Sequence, residues 1–335
     1  MKQALIFPEM LTGMTTKMAT KTMKLSASMA TGIAIFALAG CVPPQTTPSP
    51  ADPTVQAAPP APPPDATQIQ PPAPQADNST AQPPNAGAAS ALGTAYYAGH
   101  GLPQDYAKAA MWYGKAAPQG DVTAQYMLAT MYENGQGVGA NPAYADYWFA
   151  QAAAQGNIPS QVSLANAYAS GNGVDKDNTK AAYWYQKAAD AGDAGAQNSI
   201  GYAYNSGTGV PQDYGKAAHY FALAAAQGNP DAEFNLGNYY SHGYGVSQDD
   251  SQAAAWWTKS ASQGNAAAQD ALGNAYSLGA GVAQDSSTAV QYWTEAAAQA
   301  NQAAEYSLGN AYLNGTGVAQ DQQKAAYWLL LAANP

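Results

Sequence analysis

The stretch Gly201-Tyr-Ala-Tyr-Asn-Ser-Gly-Thr-Gly-Val-Pro-Gln-Asp-Tyr-Gly-Lys-Ala-Ala218 decides the fold, because the chain repeats its pattern seven times. Its Gly207/Gly209 pair returns every 36 residues, as Gly99/Gly101, Gly135/Gly137, Gly171/Gly173, Gly243/Gly245, Gly279/Gly281 and Gly315/Gly317. A tyrosine stands three residues before each pair, from Tyr96 to Tyr312. An alanine stands ten residues after each first glycine, from Ala109 to Ala325. A period of this length means a stacked array, in which each unit buries its apolar face only against its neighbours. Such arrays offer a long surface to other macromolecules and seldom perform chemistry.

One unit, residues 88–123, reads as two helices. Ala88, Leu92, Ala95 and Tyr96 are spaced for one helical face, and Gly99 supplies the left-handed residue that stops the helix. A turn follows, and then Asp105, an amino-terminal cap repeated as Asp177, Asp213, Asp249, Asp285 and Asp321. Asn141 takes its place once, followed by Pro142, which suits a first helical turn. The second helix runs from Tyr106 to about Gln119, with Ala109, Ala110, Trp112, Tyr113, Ala116 and Ala117 as its buried stripe, and ends at Gly120. Alanine pairs facing large rings suit closely packed antiparallel helices. Departures read as tolerated drift: Gly93 becomes Ala129 and Ala165, Lys108 becomes Tyr144, Gln252 and Thr288, and Ala300 replaces a terminal glycine.

Leu-Gly-x-x-Tyr, Gly-x-Gly-Val-x-x-Asp, Lys-Ala-x-x-Trp and Ala-Ala-x-x-Gly together resemble the Sel1-like repeat family, relatives of the tetratricopeptide repeats, over about residues 88–334. The resemblance implies an all-α, right-handed solenoid of seven helix–turn–helix units, 88–123, 124–159, 160–195, 196–231, 232–267, 268–303 and 304–335. It also implies a protein–protein scaffold in which the first helix of each unit lines a concave face. Two ladders would run along that face. One is Thr94, Thr130, Asn166, Tyr202, Asn238, Asn274, Asn310; the other is Ser90, Tyr126, Val162, Asn198, Phe234, Asp270, Tyr306. They lie four residues apart, on one helix face. Two readings stay open. Asparagines that donate and accept could grip a partner's backbone beside aromatic anchors, or they could merely solvate a polar face.

The amino terminus carries an address. Lys17, Lys21 and Lys24 precede the apolar run Met29–Gly40, which is too short to cross ~30 Å of hydrocarbon as a helix. A basic segment, a short apolar core and a small-residue ending form a secretory signal over residues 1–40, with Met18 or Met23 as alternative starts. Leu38-Ala39-Gly40-Cys41 resembles the bacterial lipobox, which implies cleavage before Cys41, acylation of that residue and anchoring in a lipid bilayer. Val42 after the cysteine implies the outer membrane, with the chain facing the periplasm. Residues 42–87 hold 15 of the 23 prolines and read as a disordered spacer, at ~3.1 Å per residue when extended.

Composition excludes several classes. Twelve basic residues, all lysine, and a formal charge of −10 argue against nucleic acid. A single cysteine excludes an internal disulfide framework or a cysteine-based metal site. Some secreted relatives with this repeat are linked to β-lactams, but they carry paired cysteines, and no Ser-x-x-Lys occurs here. His219 and His242 have no companion ligands at metal spacing. No catalytic residue, metal or cofactor is expected. The last unit differs in carrying Leu330-Leu331 where others carry pairs such as Thr258-Lys259, so it reads as a docking end or a partly buried final turn. The resulting expectation is a non-enzymatic, lipid-anchored scaffold of an envelope complex, with export or polysaccharide machinery as its analogues. The alternative is a module binding peptidoglycan or another envelope glycan.

Overall fold

The computed structural model describes residues 85–334. The expected signal segment, Cys41 and nearly all of the proline-rich spacer lie outside them. Fourteen α-helices fill the described residues, with no strand among them. In chain order they are α1 (Ala86–Ala98), α2 (Tyr106–Ala116), α3 (Val122–Asn134), α4 (Pro142–Ala154), α5 (Ile158–Ser170), α6 (Asn178–Asp190) and α7 (Ala194–Ser206). The rest are α8 (Tyr214–Ala226), α9 (Pro230–His242), α10 (Asp250–Ser262), α11 (Ala266–Leu278), α12 (Ser286–Ala298), α13 (Gln302–Asn314) and α14 (Gln322–Ala333). Each helix packs on the next, so the seven helix pairs form the expected all-α solenoid. The first helix starts two residues before the expected unit, capped by Asn85, whose carboxamide oxygen accepts from Gly87 N at 2.9 Å.

The local signals work as read. Asp105 caps α2 by accepting from Lys108 N at 3.0 Å, and Asn141 caps α4 likewise at 3.2 Å. Two of the departures at the lysine position are compensated rather than merely tolerated, whereas Ala300 takes the left-handed conformation, φ 61°, that glycine adopts at its position elsewhere. Lys180 lies 5.1 Å above the Tyr168 ring, and Lys108, Lys216 and Lys324 cover the equivalent tyrosines. Where lysine becomes Tyr144, its ring stacks on Tyr132 at 5.1 Å and covers the same surface. Thr288 instead donates its hydroxyl to Asp285 at 2.8 Å.

Successive repeats are joined by one recurring apolar contact. A leucine or isoleucine of each first helix packs on an aromatic ring and an alanine of the preceding second helix. The sets are Leu128 with Tyr113 and Ala117, Leu164 with Phe149 and Ala153, and Ile200 with Tyr185 and Ala189. Leu236 with Phe221 and Ala225, Leu272 with Trp257 and Ala261, and Leu308 with Trp293 and Ala297 complete the series. All six aliphatic residues are buried. At ~25 cal/mol per Å² of apolar surface, each is worth about 2 kcal/mol.

A buried amide clamp accompanies this contact. Gln125 donates to Ala117 O at 3.0 Å and accepts from Gln155 at 2.8 Å. Gln227 with Gln197, Gln263 with Glu233 and Gln299 with Gln269 repeat the second bond, each at 2.8 Å. At the third unit the donor position is Ala191, and the buried Gln161 Oε1 is left without a partner. Ala191→Gln is therefore expected to restore the bond and stabilise the array by about 1 kcal/mol. The midpoint of urea unfolding should rise with an unchanged m-value.

Candidate functional site

The first ladder is tied to the interior. Tyr113 Oη donates to Thr94 Oγ1 at 3.1 Å, Trp257 Nε1 to Asn238 Oδ1 at 3.1 Å and Trp293 Nε1 to Asn274 Oδ1 at 3.3 Å; Tyr185 Oη donates to Asn166 Oδ1 in the same way. In each pair the ring stands 19 residues after its acceptor. Where the ring is Phe149, which has no donor, Thr130 keeps only the bond to its own helix that Thr94 also makes, donating to Tyr126 O at 3.0 Å as Thr94 does to Ser90 O at 3.1 Å. Where it is Phe221, Tyr202 meets it edge-on at 5.4 Å. The asparagine oxygens expected to face a partner therefore satisfy buried hydroxyl and indole donors. In the last repeat Leu329 provides no donor, and Asn310 is released from this duty.

The second ladder lies at the junctions between repeats. Ser90 donates to the cap Asp121 at 3.0 Å, and Asn198 accepts from Asn235 at 3.2 Å. Val162 and Phe234 pack against cores that their own unit shares with the next, and Tyr126 tilts over Phe149 at 6.1 Å. Asp270 is part-buried with Oδ1 unpartnered, and burial pushes its carboxyl above the usual range. Of this ladder only Tyr306, in the last described repeat, is well exposed, at 60%. Leu330 is also exposed, at 64%, while Leu331 is half-buried.

His219 and His242 each lie against a different tyrosine. His219 stands edge-on to Tyr220 at 5.3 Å, and His242 stacks on Tyr244 at 5.2 Å with its Nδ1 2.8 Å from Asn238 O. Tyr244 stacks in turn on Tyr214 at 5.2 Å, so three exposed rings share one pile. No group of three or more His, Cys, Asp or Glu placed to hold a metal occurs among the described residues.

One titratable group escaped the sequence reading. Asp146 on α4 is 4% exposed, and its Oδ2 has no hydrogen-bond partner. It faces Gly173 of the next repeat, where any Cβ would collide with this carboxylate. Desolvation, and then the charge of Glu133, raise its pKa to about 7. A signal was available: the same position is Ala110, Ala182, Ala218, Ala254, Val290 and Ala326 in the other repeats. Ser160 and Gln161, on the neighbouring α5, hold two further unpartnered buried atoms.

A solenoid of seven stacked helix pairs, whose polar ladders mostly serve its own interior, belongs to the helical-repeat proteins. The Sel1 repeat model matches residues 86–121, 122–157, 158–193, 194–229, 230–265, 266–301 and 302–334, and the chain belongs to the Sel1 repeat family. Proteins of this family are generally scaffolds for protein–protein contacts. A protective antigen of uropathogenic Escherichia coli with an SLR fold is similar at 36% identity and a TM-score of 0.69. The match covers 74% of this chain and 53% of the antigen, so this chain spans about half the antigen's length. A Sel1 repeat protein from Oxalobacter formigenes is similar at 35% identity and TM-score 0.61, over 74% of this chain and 72% of that one. No curated protein matches the chain.

Two measurements check these assignments. Asn238→Ala and Asn274→Ala strand an indole N–H and should each cost about 1–2 kcal/mol, whereas Asn310→Ala should change thermal stability by less than about 0.5 kcal/mol. For Asp146, the folded chain holds its proton up to about pH 7 and the unfolded chain loses it near the ordinary carboxylate value of ~4. Between those values the folded state binds more protons, so stability falls as pH rises. Asp146→Ala should accordingly raise the melting temperature more at pH 8 than at pH 4.

Proposed function

We propose that this chain is a non-enzymatic scaffold held at the outer membrane through acylated Cys41, with its repeats in the periplasm gathering the parts of an envelope complex. The observation that carries the reading is the order of segments. A short apolar signal ends at Leu38-Ala39-Gly40-Cys41, a proline-rich stretch follows, and then comes a repeat array of a protein-binding family. A long spacer between anchor and array lets the array reach partners away from the bilayer. Export or polysaccharide-handling machinery is the class of complex such a tethered array would serve.

The stack of His242, Tyr244 and Tyr214 supports a second reading, binding of peptidoglycan or another envelope glycan. Its exposed ring faces match the apolar faces of sugars, and Gln212, hydrogen-bonded to Tyr214 Oη at 3.0 Å, adds a polar edge.

Labelled palmitate should enter the wild-type chain and not a Cys41→Ser variant, and the label should fractionate with outer membranes. Proteins cross-linked to the array in intact envelopes support the scaffold. Retention on isolated sacculi that is lost in Tyr244→Ala supports the glycan reading.

A further inference from the structure

The contact that joins repeats is made six times inside the chain, and each end of the array exposes one half of it. At the amino-terminal end, Leu92 occupies the position of the buried Leu128, Leu164, Ile200, Leu236, Leu272 and Leu308, yet it is 37% exposed. Ala88 is exposed although Ala124, Ala196, Ala232, Ala268 and Ala304 at its position are fully buried. The first turn shows the same end. A Cβ on Gly137, Gly209, Gly245, Gly281 or Gly317 would strike the backbone of the preceding repeat's second helix, whereas Gly101 faces open space.

At the carboxyl-terminal end the other half is laid open. Leu329 and Ala333 stand at the positions of the seat that receives Leu128 on Tyr113 and Ala117, or Leu308 on Trp293 and Ala297, with a leucine in place of the ring. With Tyr306, Ala303 and Ala332 they line a shallow groove of about 480 Å³. Terminal repeats of soluble arrays normally carry a polar outer face, and neither end does so here. Helix α1 contains no charged residue, and the only charge on α14 is Lys324, in its first turn. The leucine contact between two copies therefore brings no charged residue of α1 against the uncharged last two turns of α14.

We infer that the ends bind each other in trans. The first repeat of one copy stacks on the last repeat of a second copy, with Leu92 seated against Leu329 and Ala333 as Leu164 sits against Phe149 and Ala153. The joint is heterologous, since each copy offers two different faces. It therefore propagates as a linear stack or closes as a ring. It is independent of the envelope reading, because it uses only the repeat stacking geometry.

The test uses the full chain in a Cys41→Ser background, which removes the only thiol. Ala88→Glu blocks the amino-terminal face and Ala333→Glu the carboxyl-terminal face. Both sites are exposed within one chain, so circular-dichroism melts should match the parent; where either shifts, Leu92→Gln and Tyr306→Gln, at exposed residues of the two faces, take their place. In sedimentation velocity the parent should grow in size with concentration, and each variant alone should stay monomeric. An equimolar mixture of the two variants should form dimers and stop there, because it contains one intact face of each kind. A parent monomeric at every concentration, an Ala88→Glu chain that still self-associates, or a mixture that remains monomeric would each overturn the inference.

Discussion

The fit of one repeat's leucine into the ring-and-alanine seat of the repeat before it is the constraint on which this molecule depends. No single helix pair encloses that leucine. The pair becomes stable only when a neighbour covers it, which is why the sequence keeps strict register over seven units. The Gly-x-Gly turn serves the same end. Its first glycine stops a helix in the left-handed conformation, and its second removes a Cβ that would meet the backbone of the preceding repeat. The motif is thus as much a device for close approach between repeats as a turn.

The same junction explains where the array is least consistent with itself. Three of the four unpartnered buried polar atoms among the described residues, on Asp146, Ser160 and Gln161, fall between the second and third repeats. Two of them replace alanine at their positions, and the third lost its partner when glutamine became Ala191. Leaving buried polar groups unsatisfied costs free energy that a fully apolar junction does not incur. Every other junction except the last, which carries Val290 and Glu305, keeps alanine and the clamp, so repeats alike in sequence pattern differ in how well their interiors are satisfied.

This accounting also narrows where binding can occur. Thr94, Asn166, Asn238 and Asn274 accept hydrogen bonds from rings that need them, so their conservation of type within the chain reflects the interior. Surfaces free of such duty include the stacked rings at His242 and Tyr244, Asn310, the exposed Leu278, and the two ends of the array. A family defined by its packing residues leaves its specificity to positions of this kind.

The chain's own letters settled the caps, the glycine stops, the seven-fold period and the all-α class, because these are governed by neighbours within about four residues. The first helix start and the second helix end differ by two to three residues from the expected ones. The family resemblance followed from the same short-range pattern. The hydrogen bonds from Trp257 to Asn238, the clamp from Gln227 to Gln197 and the burial of Asp146 beside Gly173 were decided only by the stacked structure. They join residues 19 to 30 positions apart, on helices whose relative rotation no local signal specifies. Comparing the repeats column by column marks these positions as unusual, but only the packed helices show whether an odd residue is covered by a neighbour or left to solvent at an end.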